Sequence, residues 1–272
     1  MATKFALCEL KVSMSDGVLV TFWFDGNSKV TLNNSTFDKP AANAFSLVHI
    51  KDCPFATEIC KSVCYVNKLE KAEKEVYGKY VSNSEAIRLV LSRPDYLATV
   101  VAAFANYIRQ NCADGFRWHI SGDIFSLGYA EFIREVCMSV SDVPFWIYTR
   151  SFSYLEPLVD IPNLVVNLSA DKDNLIEAMI HAVVYNLRIC YMTVDDEIPN
   201  VLADDSVIFP SYNRRYRGEH LFRASGIFWF NYGLLARERR MICPADFFGQ
   251  SEHFRCGVCK KCLKKVGSLA SR

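Results

Sequence analysis

Seven of the eleven cysteines in this 272-residue chain fall into two groups whose spacing suits metal chemistry. The front group lies in DCPFATEICKSVCYV as Cys53, Cys60 and Cys64, and the rear group joins Cys243 to Cys256, Cys259 and Cys262 of RCGVCKKC. Three soft thiolates in one loop can hold an iron–sulfur cluster and leave one iron open, or hold zinc with a fourth ligand from elsewhere. The unbroken C-x2-C-x2-C at the rear matches the ferredoxin-type run that wraps three corners of a cubane, whereas zinc knuckles use separated C-x2-C pairs. Cys243, followed by Pro244, offers a fourth thiolate, and Lys260, Lys261, Lys264 and Lys265 offset the negative charge. The spacing favours a [4Fe–4S] cluster, with zinc as the alternative. Each group either binds its own cluster, three ligands in front and four behind, or the two share one site. Cys137 in FIREVCMSV and Cys190 in LRICYMTV sit in apolar runs and read as small core residues.

A second set of polar residues recurs where apolar runs end: Ser121-Gly122-Asp123, Thr149-Arg150-Ser151, Asn167 with Ser169 and Asp171, Thr193 with Asp195, and Ser211 with Asn213. An arginine closing an apolar strand needs an anionic partner, so Arg150 should meet Asp123, Asp171 or an acidic ligand. Asp123, Arg150, Asn167 and Asp171 are the candidates to hold and act on a substrate. His119, between Trp118 and Ile120, reads as a core histidine, with a metal-ligand role as the alternative. SYNRRYRGEHLFR (211–223) carries Arg214, Arg215, Arg217, Arg223 and His220, and could hold the phosphates of a nucleotide or nucleic acid. No P-loop, GxGxxG, GxSxG or HExxH pattern is present.

The elements that must position these residues follow from periodicity. LCELKVSM and VLVTFWFDGNSKVTL alternate polar with apolar and predict an antiparallel hairpin unit over 1–44. FSLVHI (45–50) predicts a strand entering the first cysteine loop. NKLEKAEKEVYGKY predicts a charged helix, SNSEAIRLVL a second one capped by Ser82 or Ser84, and PDYLATVVAAFANYIRQN a third opened by proline. FRWHISGD, PFWIYTRS, NLVVNLSAD, LRICYMTVD and VIFPSYN then predict strands; helical patterns separate most of them, which implies βαβ units and a parallel sheet. The expected fold is α/β: a partial or complete (β/α) barrel over 45–235 and a Cys-rich metal-binding tail over 236–272. In such a barrel the strand C-termini form one mouth, where the polar set would converge.

Composition restricts the partners. Hydrophobic residues make up 51% and the net charge is +1, so a large core is available and no whole-molecule field attracts nucleic acid. No apolar stretch reaches membrane-spanning length and the N-terminus lacks a signal-peptide pattern, which predicts a soluble cytoplasmic protein with no membrane partner.

With a cysteine loop after the first barrel strand, SGD, YTRS and NLSAD at later ones and a CP…CxxCxxC tail, the chain resembles the phage "gene product 88" group over residues 45 to 265. It is also similar to radical S-adenosylmethionine enzymes, which use a partial (β/α) barrel. That second resemblance implies a [4Fe–4S] cluster on Cys53, Cys60 and Cys64, S-adenosylmethionine at its open iron, and the cofactor's amino group at Ser121, Gly122 and Asp123. The radical pattern is C-x3-C-x2-C; here Asn67 occupies its third cysteine position, and Cys53 substitutes from the other side of the loop. The resulting expectation is a phage-encoded iron–sulfur protein of the host cytoplasm, a redox or radical enzyme acting on an unidentified small molecule. The alternative is a non-catalytic, metal-stapled protein that contacts nucleic acid or a protein partner.

Overall fold

The computed structural model describes residues 5–27, 41–67, 73–193, 199–210, 243 and 260–266. Its framework is one eight-stranded sheet whose strands lie side by side in sequence order. Strands β1 (Phe5–Ser13) and β2 (Leu19–Asn27) form the expected hairpin, in register from Phe5 opposite Asn27 to Ser13 opposite Leu19. Its turn uses Gly17 at φ +84°, and the Asp16 carboxylate accepts from the Val18 N–H. Strand β3 (Ala44–Phe45) pairs antiparallel with β2 and parallel with β4 (Phe116–Trp118), so the sheet changes sense there. Strands β5 (Phe145–Thr149), β6 (Leu164–Ala170), β7 (Arg188–Thr193) and β8 (Val207–Pro210) continue in parallel.

The connections are α1 (Glu58–Val63), α2 (Lys74–Ser92) and α3 (Pro94–Asn111) between β3 and β4, α4 (Leu127–Ser139) after β4, and α5 (Leu175–Tyr185) after β6. When parallel strands advance in one direction through crossovers of one hand, the helices collect on one face. Strand alternation shows this. Phe145 and Ile147, Leu164, Val166 and Leu168, and Ile189 and Tyr191 enter the main core, while Trp146, Tyr148 and Val165 point to the opposite face. Phe104 of α3 sits at the centre of the main core, with ring centroids 4.9, 5.0, 5.1 and 5.3 Å from Phe22, Phe24, Phe45 and Phe132. The opposite face is closed over Ala44, Ile120, Trp146, Tyr148 and Val165 by Leu263, from a 3-10 turn at Lys261–Leu263.

Several expectations are corrected. The sheet is not closed: β1 and β8 are its two edges, so a complete barrel is not formed by the described residues. The strand expected over 45–50 ends at Phe45, because Ser46 turns its hydroxyl into the protein to serve the Asp25 carboxylate at 3.0 Å. The two helices expected before Pro94 are one, α2, and Ser84 is a buried interior residue of it rather than a cap. SYLEPLVDI holds only a 3-10 turn at Phe152–Tyr154. The segment 211–223, Asp195, Cys256 and Cys259 lie outside the described residues.

Candidate functional site

The loops after β3 and β4 are laced together. Leu47 N–H donates to the Ser121 carbonyl and Asp123 N–H to the Asp52 carbonyl, both at 2.8 Å. Asp52 is fully buried and holds the start of the cysteine loop: its carboxylate accepts from Val48 N–H at 3.2 Å, from Ser84 Oγ, and from Arg88 Nη2 at 2.6 Å. Gly122 sits between the lacing bonds at φ +81°, where a Cβ would lie 2.6 Å from the Leu47 Cβ. The glycine of SGD is therefore required by packing.

Asp123 is buried at the end of β4 and fully engaged. Oδ1 accepts from Thr149 Oγ1 (2.6 Å) and Ile124 N–H (2.8 Å), and Oδ2 accepts from Arg150 N–H (2.8 Å). Burial pushes its carboxyl above the usual carboxylate range, and these three donors pull it back. The Arg150 side chain reaches Asp171 instead, with Nη1 2.8 Å from Oδ2, in a pair only 6% and 1% exposed. Asn174 Oδ1 accepts from the same guanidinium at 3.3 Å. Asp171 Oδ2 also accepts from Thr57 Oγ1 at 2.5 Å, and that hydroxyl oxygen in turn caps α1 by accepting from Cys60 N–H at 3.0 Å. Thr57 thus ties the cysteine loop to the ion pair. Neither charge nor cysteine spacing marked it; the signal available was a Thr ahead of the helical run EICKSV.

Cys53, Cys60 and Cys64 lie in this loop as half-buried thiols, none in a disulfide. Burial is the largest cause raising all three above the ordinary thiol value. Cys53 senses Asp123, Cys60 and Cys64, and Cys60 senses Arg150, Cys64, Asp171 and Asp123. The three sulfurs and the polar trio share one neighbourhood at the C-terminal ends of β4, β5 and β6. Among the described residues, no three His, Cys, Asp or Glu side chains are already gathered tightly enough to hold an ion. Asn67, at the third position of the radical pattern, fastens the loop: its Oδ1 lies 2.9 Å from His49 Nε2 and its Nδ2 donates to the Lys61 carbonyl at 2.9 Å. Tyr65 Oη donates to the Ile120 carbonyl. His119 is a core residue as expected. It lies 2.8 Å from Tyr129 Oη, and burial with nearby Arg117 holds its imidazole down to about 3.

Asn167 belongs to a different place. From the middle of β6 its Nδ2 donates to the Ile147 carbonyl and to the Cys262 carbonyl, both at 3.2 Å. Buried Arg188 donates from Nη1 to the Lys264 carbonyl at 2.9 Å, and Lys261 Nζ to the Ser206 carbonyl at 3.1 Å. Cys243 N–H donates to the Ile208 carbonyl at 2.8 Å, and the Cys262 thiol is hydrogen-bonded with that of Cys190. Cys190 is therefore not the isolated core thiol expected from its apolar strand. Cys137 is: Trp118 Nε1 donates to its sulfur at 3.4 Å inside the main core.

Among the described residues no helix is long and apolar enough to cross a membrane. No solved structure matches the chain. Two proteins are similar to it over 156 residues, or 55% of this chain: the "Gene 88 protein" of Mycobacterium phage D29, 34% identical, and that of Mycobacterium phage L5, 35% identical. The aligned stretch covers 61% and 62% of those relatives' own length. The family model described as "Gene product 88" matches residues 19–265, from β2 through the lysine-flanked tail. The chain belongs to the gene product 88 family.

Proposed function

We propose that this chain is an iron–sulfur protein whose front centre, held by Cys53, Cys60 and Cys64, serves redox or radical chemistry on a small molecule at the ends of β4, β5 and β6. The observation that carries this reading is the meeting of three free thiols with Asp123 and the buried Arg150–Asp171 pair, joined through Thr57. The donor set fits a thiophilic metal: all three sulfurs are soft, and none is consumed by a disulfide. Loading requires the thiols to draw closer, and α1, with six residues and none of them buried, can yield at little cost. When bound, such a cluster supplies one-electron transfer or a Lewis-acidic iron.

The chain's own residues do the rest. Arg150 presents a fixed positive charge to an anionic group, such as a carboxylate, while Asp171 and Thr57 hold its orientation. Asp123 fixes Arg150 through the backbone. Ser121 Oγ, buried without a hydrogen-bond partner among the described residues, is open to the amino group of S-adenosylmethionine if the radical resemblance extends that far. Anaerobic purification with absorption spectra and iron, sulfide and zinc analysis is the test. Iron and sulfide in equal amounts, falling when Cys60 is replaced by Ala, support the reading. A colourless protein with stoichiometric zinc overturns it and supports the metal-stapled binding protein. With iron present, a change in the cluster's electron paramagnetic signal on adding S-adenosylmethionine supports radical chemistry; an unchanged signal removes that part.

A further inference from the structure

We propose that Cys190 is a ligand of the rear thiolate centre, so that the sheet itself, and not the tail alone, completes that site. The inference rests on reading the tail as metal-binding and adds a residue that neither its spacing nor its family supplies.

Alternate residues of β7 face the tail: Arg188, whose Nη1 grips the Lys264 carbonyl, and Cys190, two positions on. One strand away, Asn167 holds the Cys262 carbonyl. The last described segment is thereby laid across Cys190, and the two thiols meet. On the other side, Val207 of β8 is the register partner of Cys190, and the next residue, Ile208, fixes Cys243 through its backbone. Three sulfurs from separate parts of the chain converge where β7 and β8 meet the tail.

The electrostatics point the same way. Arg188 is 1% exposed, its Nη2 has no hydrogen-bond partner among the described residues, and the nearest carboxylate oxygen, on Asp205, is 3.9 Å from Nε. A buried guanidinium with a spare donor is costly unless it faces an anion. Trp146 Nε1, on the same face, is also a buried N–H without a partner among the described residues. A metal held by three or four thiolates carries net negative charge and is stabilised by N–H donors to its sulfurs. The matching ligand is a thiophilic metal, as zinc or as iron with sulfide.

The experiment uses the full chain with Cys53, Cys60 and Cys64 replaced by Ala, so that the front site contributes nothing. It is loaded with zinc in one arm and with ferrous iron and sulfide in the other, and metal per chain is measured. Cys190→Ala should weaken binding by at least the roughly 10- to 100-fold that loss of an outer-shell partner costs, while Cys137→Ala leaves it unchanged. Undiminished binding in Cys190→Ala overturns the inference but not the rear site. No metal in either arm, even before Cys190 is altered, overturns both. Because Cys190→Ala could fail to fold, the chain with Cys190 intact is also loaded with cadmium-113. Scalar coupling from the metal to the Cys190 β-protons supports the assignment, and coupling confined to other cysteines overturns it.

Discussion

At the scale of single residues, charge burial and backbone sign make the sharpest predictions. Asp25 is fully buried under Tyr80 and Ser46, and desolvation raises its carboxyl from 3.8 to about 6. The fold thus prefers it protonated. That contribution is fully present below the unfolded value and is lost as pH rises through about 6. Buried His119, held down to about 3, titrates in the opposite sense over the same range, so the raw stability curve hides both. The difference between wild type and Asp25→Asn isolates the carboxyl. It should move against wild type by roughly 3 kcal/mol between pH about 4 and about 7 in urea melts; a difference independent of pH refutes the assignment. Gly122→Ala should cost about 1–3 kcal/mol, since it adds both a left-handed alanine and a collision with Leu47. Replacing Arg150 with Leu strands the Asp171 carboxylate and should cost about 3–5 kcal/mol, whereas Arg150→Leu combined with Asp171→Leu should recover much of it.

At the scale of elements, the strands and long helices were legible because their periods are strong. Trp146 and Tyr148 alternate with Phe145 and Ile147, and Pro94 opens α3 as its position foretold. What the sequence hid was partnership. Ser84 looks like a helix start until Asp52, from a loop more than thirty residues earlier, claims its hydroxyl. Arg-x-Cys in β7 looks like ordinary strand filler, although a buried arginine two residues from a cysteine does mark a polar face. Thr57 is the testable element-scale case. Thr57→Val removes both the α1 cap and a bond to Asp171, so amide exchange at residues 60–63 should speed roughly fivefold or more, equivalent to about 1 kcal/mol. Unchanged exchange there would mean that α1 does not depend on its cap. In α5, Val183 is 84% exposed, and Val183→Lys should leave stability within about 0.5 kcal/mol.

At the scale of the whole molecule, an open sheet with helices on one face needs a cover for the other. The tail supplies part of it through Leu263, Asn167 and Arg188. A barrel was expected because sequential parallel strands read identically whether the sheet closes or not; closure depends on strand tilt and stagger, which periodicity does not encode. The polar set was expected to share one mouth, yet it divides: Asp123, Arg150 and Asp171 stay with the front cysteines, while Asn167 turns to the tail. The placement of the tail also sets an order of events during synthesis. Trp146, Tyr148 and Val165 leave the ribosome well before Leu263 exists to shield them, so every nascent chain carries a bare aromatic surface until its last segment emerges. A ribosome stalled before residue 260 should therefore display a chain that binds hydrophobic dyes and recruits chaperones, and one stalled far enough beyond it to release the tail should not. Maturation of this protein ends where its cysteines do.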